Sequence, residues 1–344
     1  MSSLPPIYFY LPEWDQSEEN LPDVNTYVQT QFSGGIYAWT LQTFLHLKAH
    51  GFPCQLVGQM PTAGIVLAHR NSIPAGFKPS SQILLVCLLA DKERYPYAQV
   101  HVVLNCRDPL LQQGMFWESY FIPHWRQPGL IPRDPARGDR FESIAYFGHE
   151  RNLAPELKSI AWQERLKAMG LVFKIVGSQD WHDFSQIDAV LAIRGFNHNP
   201  YTDKPATKLY NAWCAGVIAV LGPESAYQAE RQSPLDYLEV RTPEETLEVL
   251  QRLRDDSQLR RAIVAHGWER AKMVQPEQVV QRWEEMITEK LVPAYDRWCS
   301  LTALERGLFF LQRYLSLKQH RLLNRWRKLE GALALRKPAG MTKT

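Results

Sequence analysis

Ten apolar runs of four to eight residues are spread through the first 240 positions of this 344-residue chain, and they limit what it can fold into. Each is too short for a stable helix and shows no strict alternation, so each reads as a strand covered on both faces. Such runs joined by helix-length crossovers predict parallel sheets, because only a parallel arrangement hides both faces of every strand. The expected strands are 7–11, 54–57, 64–69, 83–90 and 100–105 in the first half. In the second they are 144–147, 172–176, 189–193, 217–221 and 237–240. A helix is expected over 36–50, after Ser33, Gly34 and Gly35. Residues 122–140 are rich in Pro, Gly and Arg and have no apolar period, which predicts a linker between two units. Further helices are expected at 154–169, 207–215 and 243–255, and from 258 onward nearly everything reads as helix (259–273, 276–291, 302–335). The expected domains are 1–130, 141–285 and a closing helical segment, 286–344.

The segment 203–224 carries the most chemical information. It reads as a loop, a helix, a buried strand and a second loop. Pro205 suits a first helical turn and Thr207 can cap it. Leu209, Ala212, Trp213 and Gly216 share a side that can pack on a sheet. Lys204 and Lys208 flank the helix start, where free N–H groups and the helix dipole favour an anion such as a phosphate.

This segment resembles the donor-binding helix of GT-B glycosyltransferases of the retaining group. Many of them carry Glu, seven residues and Glu, followed by Ala, a Gly and a buried strand. "Asn-Ala-Trp-Cys-Ala-Gly-Val-Ile-Ala-Val" fits the second half of that pattern, with Asn211 in place of the second Glu and Asp203 in place of the first. The resemblance implies an α/β chain with two Rossmann-like domains whose parallel sheets face a cleft, plus C-terminal helices. It implies a first domain for the acceptor and a second for a nucleotide-diphosphate sugar. The implied activity is transfer of a hexosyl group, leaning towards retention of configuration, with no metal and no cofactor beyond the sugar nucleotide. Asp203 then stands where the family contacts the donor sugar, and Asn211 where it holds the ribose. The pair Gly34-Gly35 falls where the family places a loop beside the donor diphosphate.

A diphosphate calls for about two positive charges as well as backbone donors. Lys208 and Arg194 (at the end of strand 189–193) lead, followed by Arg151 and Lys204. Glu224 follows strand 217–221 and either binds a diol or sits at the start of the next helix. Asp91, Asn105 and His124 close first-domain strands or begin the linker, and an inverting reaction would need Asp91 or His124 as base. Two other classes share this fold: a nucleotide-sugar 2-epimerase, which needs no acceptor, and a non-catalytic scaffold, which the altered acidic pair allows.

The net charge is +3, but residues 300–344 hold ten Lys/Arg against two acids, leaving about −5 for the rest. The body is therefore no nucleic-acid binder. The tail is amphipathic: Leu301, Leu304, Leu308, Leu311 and Leu315, then Leu322, Trp326, Leu329 and Leu333, step by threes and fours among arginines. It reads as a closing helix packed on the first domain, as a helix lying on an anionic membrane or a partner surface, or, last, as a nucleic-acid contact. Five widely spaced cysteines read as buried thiols in a reducing compartment. No leader pattern is evident and the longest apolar run, 83–90, is too short to span a bilayer, so the expected location is cytoplasmic, with an inner membrane face as a further option. No Gly-x-Gly-x-x-Gly, phosphate-loop or Gly-x-Ser-x-Gly motif is present.

Overall fold

The structure is a computed structural model that describes residues 4–12, 14–15, 20–32, 34–114, 117–197 and 199–334. Ser33 and Leu335 of the expected elements lie outside these residues.

The first five runs form β1 (Ile7–Tyr10), β2 (Gln55–Val57), β3 (Gly64–His69), β4 (Ile83–Leu88) and β5 (Val100–Val103). With β6 (Glu118–Phe121) they make one parallel sheet in the order β2-β1-β3-β4-β5-β6. β3 and β4 are buried at every residue, as two-sided coverage requires. β6 was not expected. It pairs on one side only and is half-buried throughout, so it needs no apolar run. The helix expected over 36–50 is two helices, α1 (Gly35–Trp39) and α2 (Leu41–Ala49), meeting at Thr40.

The second sheet contains β7 (Ser143–Phe147), β8 (Val172–Val176), β9 (Ala189–Ala192), β10 (Ile218–Leu221) and β11 (Leu238–Glu239), all parallel, in the order β11-β10-β9-β7-β8. Its helices are α3 (Ile160–Ala168), α4 (Thr207–Ala215), α5 (Ser225–Glu230), α6 (Pro243–Asp255) and α7 (Ser257–Ala271). The helix expected from 154 begins later, because Pro155 opens a separate short turn and Ser159 then caps α3. α4 ends where expected: Gly216 adopts φ 66°, a left-handed stop that glycine takes at little cost.

The closing helices change the expected division of the chain. α8 (Pro276–Met286), assigned by sequence to the second unit, buries Val279, Val280, Trp283 and Met286 in the same apolar cluster as Phe9, Trp39 and Phe44 of the first. A one-residue-wider turn, Ile287–Leu291, leads into α9 (Val292–Ser300), whose Trp298 joins that cluster. The first lobe is thus closed by residues from beyond the second.

Residues 122–140 cross between the lobes, but they are docked on both. The Trp125 indole stacks on His46 at 4.1 Å and donates to Thr43 Oγ1 at 2.8 Å. Further on, Arg133 and Arg137 both bind the buried Asp188, which also accepts the N–H groups of Glu142 and Ser143. This fixes the entry to β7.

α10 (Ala303–Ala334) packs back on the first lobe. The Trp117 ring lies between the guanidinium groups of Arg94 (4.9 Å) and Arg313 (4.6 Å), and its Nε1 donates to Ser316 Oγ. Burial draws the Arg313 pKa down to about 9, with Glu118 opposing and Arg94 adding to the fall. The five cysteines are free thiols, but Cys106 and Cys299 are exposed, against expectation, because they lie in a loop and on the open side of α9.

If α8 completes the first core, removing its largest side chain should unfold that lobe. Trp283 is 0% exposed, so Trp283→Ala should lower stability by about 3–5 kcal/mol in urea unfolding. A change under about 1 kcal/mol would contradict this packing.

Candidate active site

Both sheets have the doubly wound order in which strand 1 lies between strands 2 and 3, so each has a switch point beside its first strand. Ligands of such sheets bind outside the carboxyl ends of the strands at that point. Here the two carboxyl edges face each other across a cavity of about 890 Å³. One wall is the β1–α1 connection, from Tyr27 to Gly35. The other is the end of β7 (Tyr146 to His149), the turn after β8 (Ser178 to His182) and the start of α4. The chain has a GT-B fold. Two switch points set face to face across one cleft define that architecture.

Gly34 and Gly35 line the cavity. Gly34 has φ 114°, which excludes most side chains, and apart from the chain neighbours no atom of the described residues lies within 4 Å of where a Cβ would stand on either glycine. The backbone is therefore open to a ligand at this point.

Opposite stand Thr207, Lys208 and Asn211 of α4. Thr207 was expected to cap the helix and does not. Ala206 holds the cap position, no side chain caps α4, and the Thr207 hydroxyl is buried without a partner. Lys208 has no carboxylate within ion-pair distance among the described residues. Its Nζ lies 5.6 Å from the Tyr146 ring centre. Desolvation, then repulsion from Arg194, holds its pKa down to about 8, with Glu224 opposing and Lys204 adding to the repulsion. Asn211 Oδ1 accepts from Gln127 N at 2.9 Å, which ties α4 to the interlobe crossing.

Four expected phosphate or sugar ligands are otherwise placed. Arg194 and Glu224 lie off the cavity and pair with each other at 3.1 Å. Glu224 is buried, and desolvation raises its pKa against the pull of Arg194 and Lys208. Arg151 is exposed on a short turn outside the lining. Lys204 is held by Asp91 (3.0 Å) and Asp203 (2.9 Å), also outside it.

That last group joins the lobes, since Asp91 follows β4 and Lys204 precedes α4. Nearby, Asn105 Nδ2, at the end of β5, donates to Ser225 Oγ at 2.9 Å and to Lys204 O at 3.1 Å. Desolvation would raise the Asp91 pKa, but hydrogen bonds from Lys204 and Lys92 outweigh it and hold the group at about 2. A carboxylate so weakly basic and outside the cavity makes a poor general base.

His124, by contrast, lines the cavity. Its Nδ1 lies 2.8 Å from Trp125 O, and a carbonyl can only accept, so Nδ1 carries the proton and Nε2 keeps its lone pair. Desolvation lowers the ring's pKa against that hydrogen bond, which keeps the imidazole neutral at pH 7. Among the described lining residues there is no carboxylate, while Arg126 and Lys208 supply positive charge. Sequence reading missed Tyr146, Trp181 and His182. The Trp181 indole donates to Val176 O at 3.0 Å and meets the His149 ring edge-on at 5.2 Å. A partial signal was available, because Tyr146 lies near the carboxyl end of one expected strand and Trp181 and His182 in the connection after another.

No family model matches the chain, and no curated protein sequence does. Solved structures overlap it in part. The pneumococcal O-GlcNAc transferase GtfA, in complex with UDP and GlcNAc, shares 12% identity over 74% of this chain and 60% of its own (TM-score 0.46). WaaG, a glycosyltransferase involved in lipopolysaccharide biosynthesis, shares 13% over 72% and 96% (TM-score 0.46). AviGT4, a glycosyltransferase involved in avilamycin A biosynthesis, shares 15% over 79% and 92% (TM-score 0.47). The chain spans about 60% of the length of GtfA and of TarM, another of these structures.

The Lys208 charge gives the site a pH signature. A pyrophosphate bound beside it would favour the ammonium form and raise its pKa above the free value of about 8. Affinity should then hold up to about pH 8 and fall between pH 8 and 10, by at most about tenfold per unit. Lys208→Arg, which keeps its charge, should flatten the profile in calorimetric titrations. An unchanged slope in that variant would remove Lys208 from the site.

Proposed function

We propose that this protein is a glycosyltransferase that takes a sugar from a nucleoside-diphosphate donor held in the interlobe cavity. The observation that carries the reading is the uncapped start of α4, with an unpaired Lys208 and an unpartnered Thr207 hydroxyl, set in a cavity lined by no described carboxylate. An anion is what such a surface stabilises. The diphosphate would lie between α4 and the Gly34–Gly35 backbone, and Asn211 would approach the ribose through its free amide nitrogen. Trp181, in the turn after β8, offers a ring face to the base. Lys208 and the helix start would stabilise the leaving diphosphate as its charge develops, which is the main catalytic contribution available here.

No acidic base lines the cavity among the described residues, which supports retention of configuration over inversion through Asp91. Asp203, expected beside the donor sugar, is bound to Lys204 instead, so the family's acidic pair has no counterpart within the lining. His124 Nε2 carries a lone pair suited to accept a hydrogen bond from a sugar or acceptor hydroxyl.

A thermal-shift panel of UDP, GDP, ADP and dTDP tests this. One of them should raise the melting temperature, and Lys208→Ala should weaken its binding roughly ten- to a hundredfold, the loss of one charge-assisted contact. No shift with any nucleotide would refute the reading. If a nucleotide binds, the fate of its sugar conjugate separates the classes: diphosphate release that requires an acceptor marks transfer, conversion to an isomeric sugar nucleotide without acceptor marks an isomerase, and no turnover marks a scaffold.

A further inference from the structure

α10 has two apolar faces, and the first lobe uses only one. Arg313 and Leu317 are buried, and Phe309 and Phe310 pack on Trp298. On the opposite side Leu304, Leu308, Leu311, Leu315, Leu322 and Trp326 fall within an arc of about 60° at 100° per residue, a stripe roughly 33 Å long. They are strongly exposed: 73% at Leu304, 55% at Leu322 and 66% at Trp326. With Tyr314 and Leu323, α10 supplies eight of the fifteen exposed large apolar side chains among the described residues, so the exposure is concentrated and marks an interaction surface.

We propose that this outer face of α10 docks on an anionic membrane surface. Charge decides between that and pairing with a second copy. Residues 303–334 contain seven Lys/Arg and two acids. Continuing the three–four spacing places Lys318 and Arg325 along one edge of the stripe, beside the leucines, and both are exposed. In a self-paired seam they would be buried against like charges. At a bilayer their stems lie along the apolar boundary while the charges reach anionic headgroups. Trp326 suits the same interface. Among the described residues no helix is long and apolar enough to cross a membrane, so the contact is one of lying on the surface. Arg321 of the same helix is bound to Glu93, two residues from the Asp91 that meets Lys204, so the docked helix passes close to the contact between the lobes.

The test is sedimentation of the full chain with phosphatidylcholine vesicles, plain or doped with phosphatidylglycerol. Wild type should partition at least about tenfold more onto the doped vesicles. Leu308→Glu/Leu311→Glu/Leu315→Glu should lose binding to both, and Lys318→Glu/Arg325→Glu should lose the preference for phosphatidylglycerol. Both variants should melt like wild type, since every changed residue is exposed. Equal binding by the leucine variant, or no binding by wild type, would overturn the proposal. So would a doubled mass in light scattering that the leucine variant abolishes.

Discussion

A parallel sheet with both faces covered leaves its ligand one approach, the edge where the strands end. This chain builds two such sheets, covered on both faces over their central strands though not at the edge strand β8, and turns their carboxyl edges towards each other, so the cavity follows from the topology rather than from any special loop. Everything at the site inherits its position from that arrangement. Gly34 and Gly35 lie where β1 gives way to α1, and Lys208 lies where the chain re-enters a helix after β9.

Charge distribution then refines the site. Three cations gather near the start of α4. Two are neutralised, Arg194 by Glu224 and Lys204 by Asp91 and Asp203. The third, Lys208, has no such partner, and the two neighbouring cations make its charged form harder to keep. The ion pairs stiffen the surroundings of the one cation left available. Lys204 does this across the cleft, where it shares the work with Asn105.

What could be read from the sequence was what depends on local pattern. β3, β8, α4 and α6 appear with the expected bounds, because apolar runs, proline starts and a glycine stop are local signals. β6 escaped because an edge strand needs no apolar run, and α8 was given to the wrong lobe because an amphipathic face does not name its partner. At the site, the same division holds. Gly34, Gly35, His124, Thr207, Lys208 and Asn211 do meet at the cavity, as strand-end positions predict. The pairing of Asp91 with Lys204, 113 residues apart, and of Arg194 with Glu224, 30 apart, is set by the tertiary fold and leaves no mark in either segment.

The return of α8 and α9 to the first lobe has a consequence for synthesis. The second sheet and its helices are contiguous, from β7 to α7, and can assemble as soon as they leave the ribosome. The first sheet emerges earlier but lacks Trp283, Leu291 and Trp298 until the whole second lobe has been made. The amino-terminal half therefore finishes last, and for that interval its uncovered apolar flank is a natural client for a chaperone.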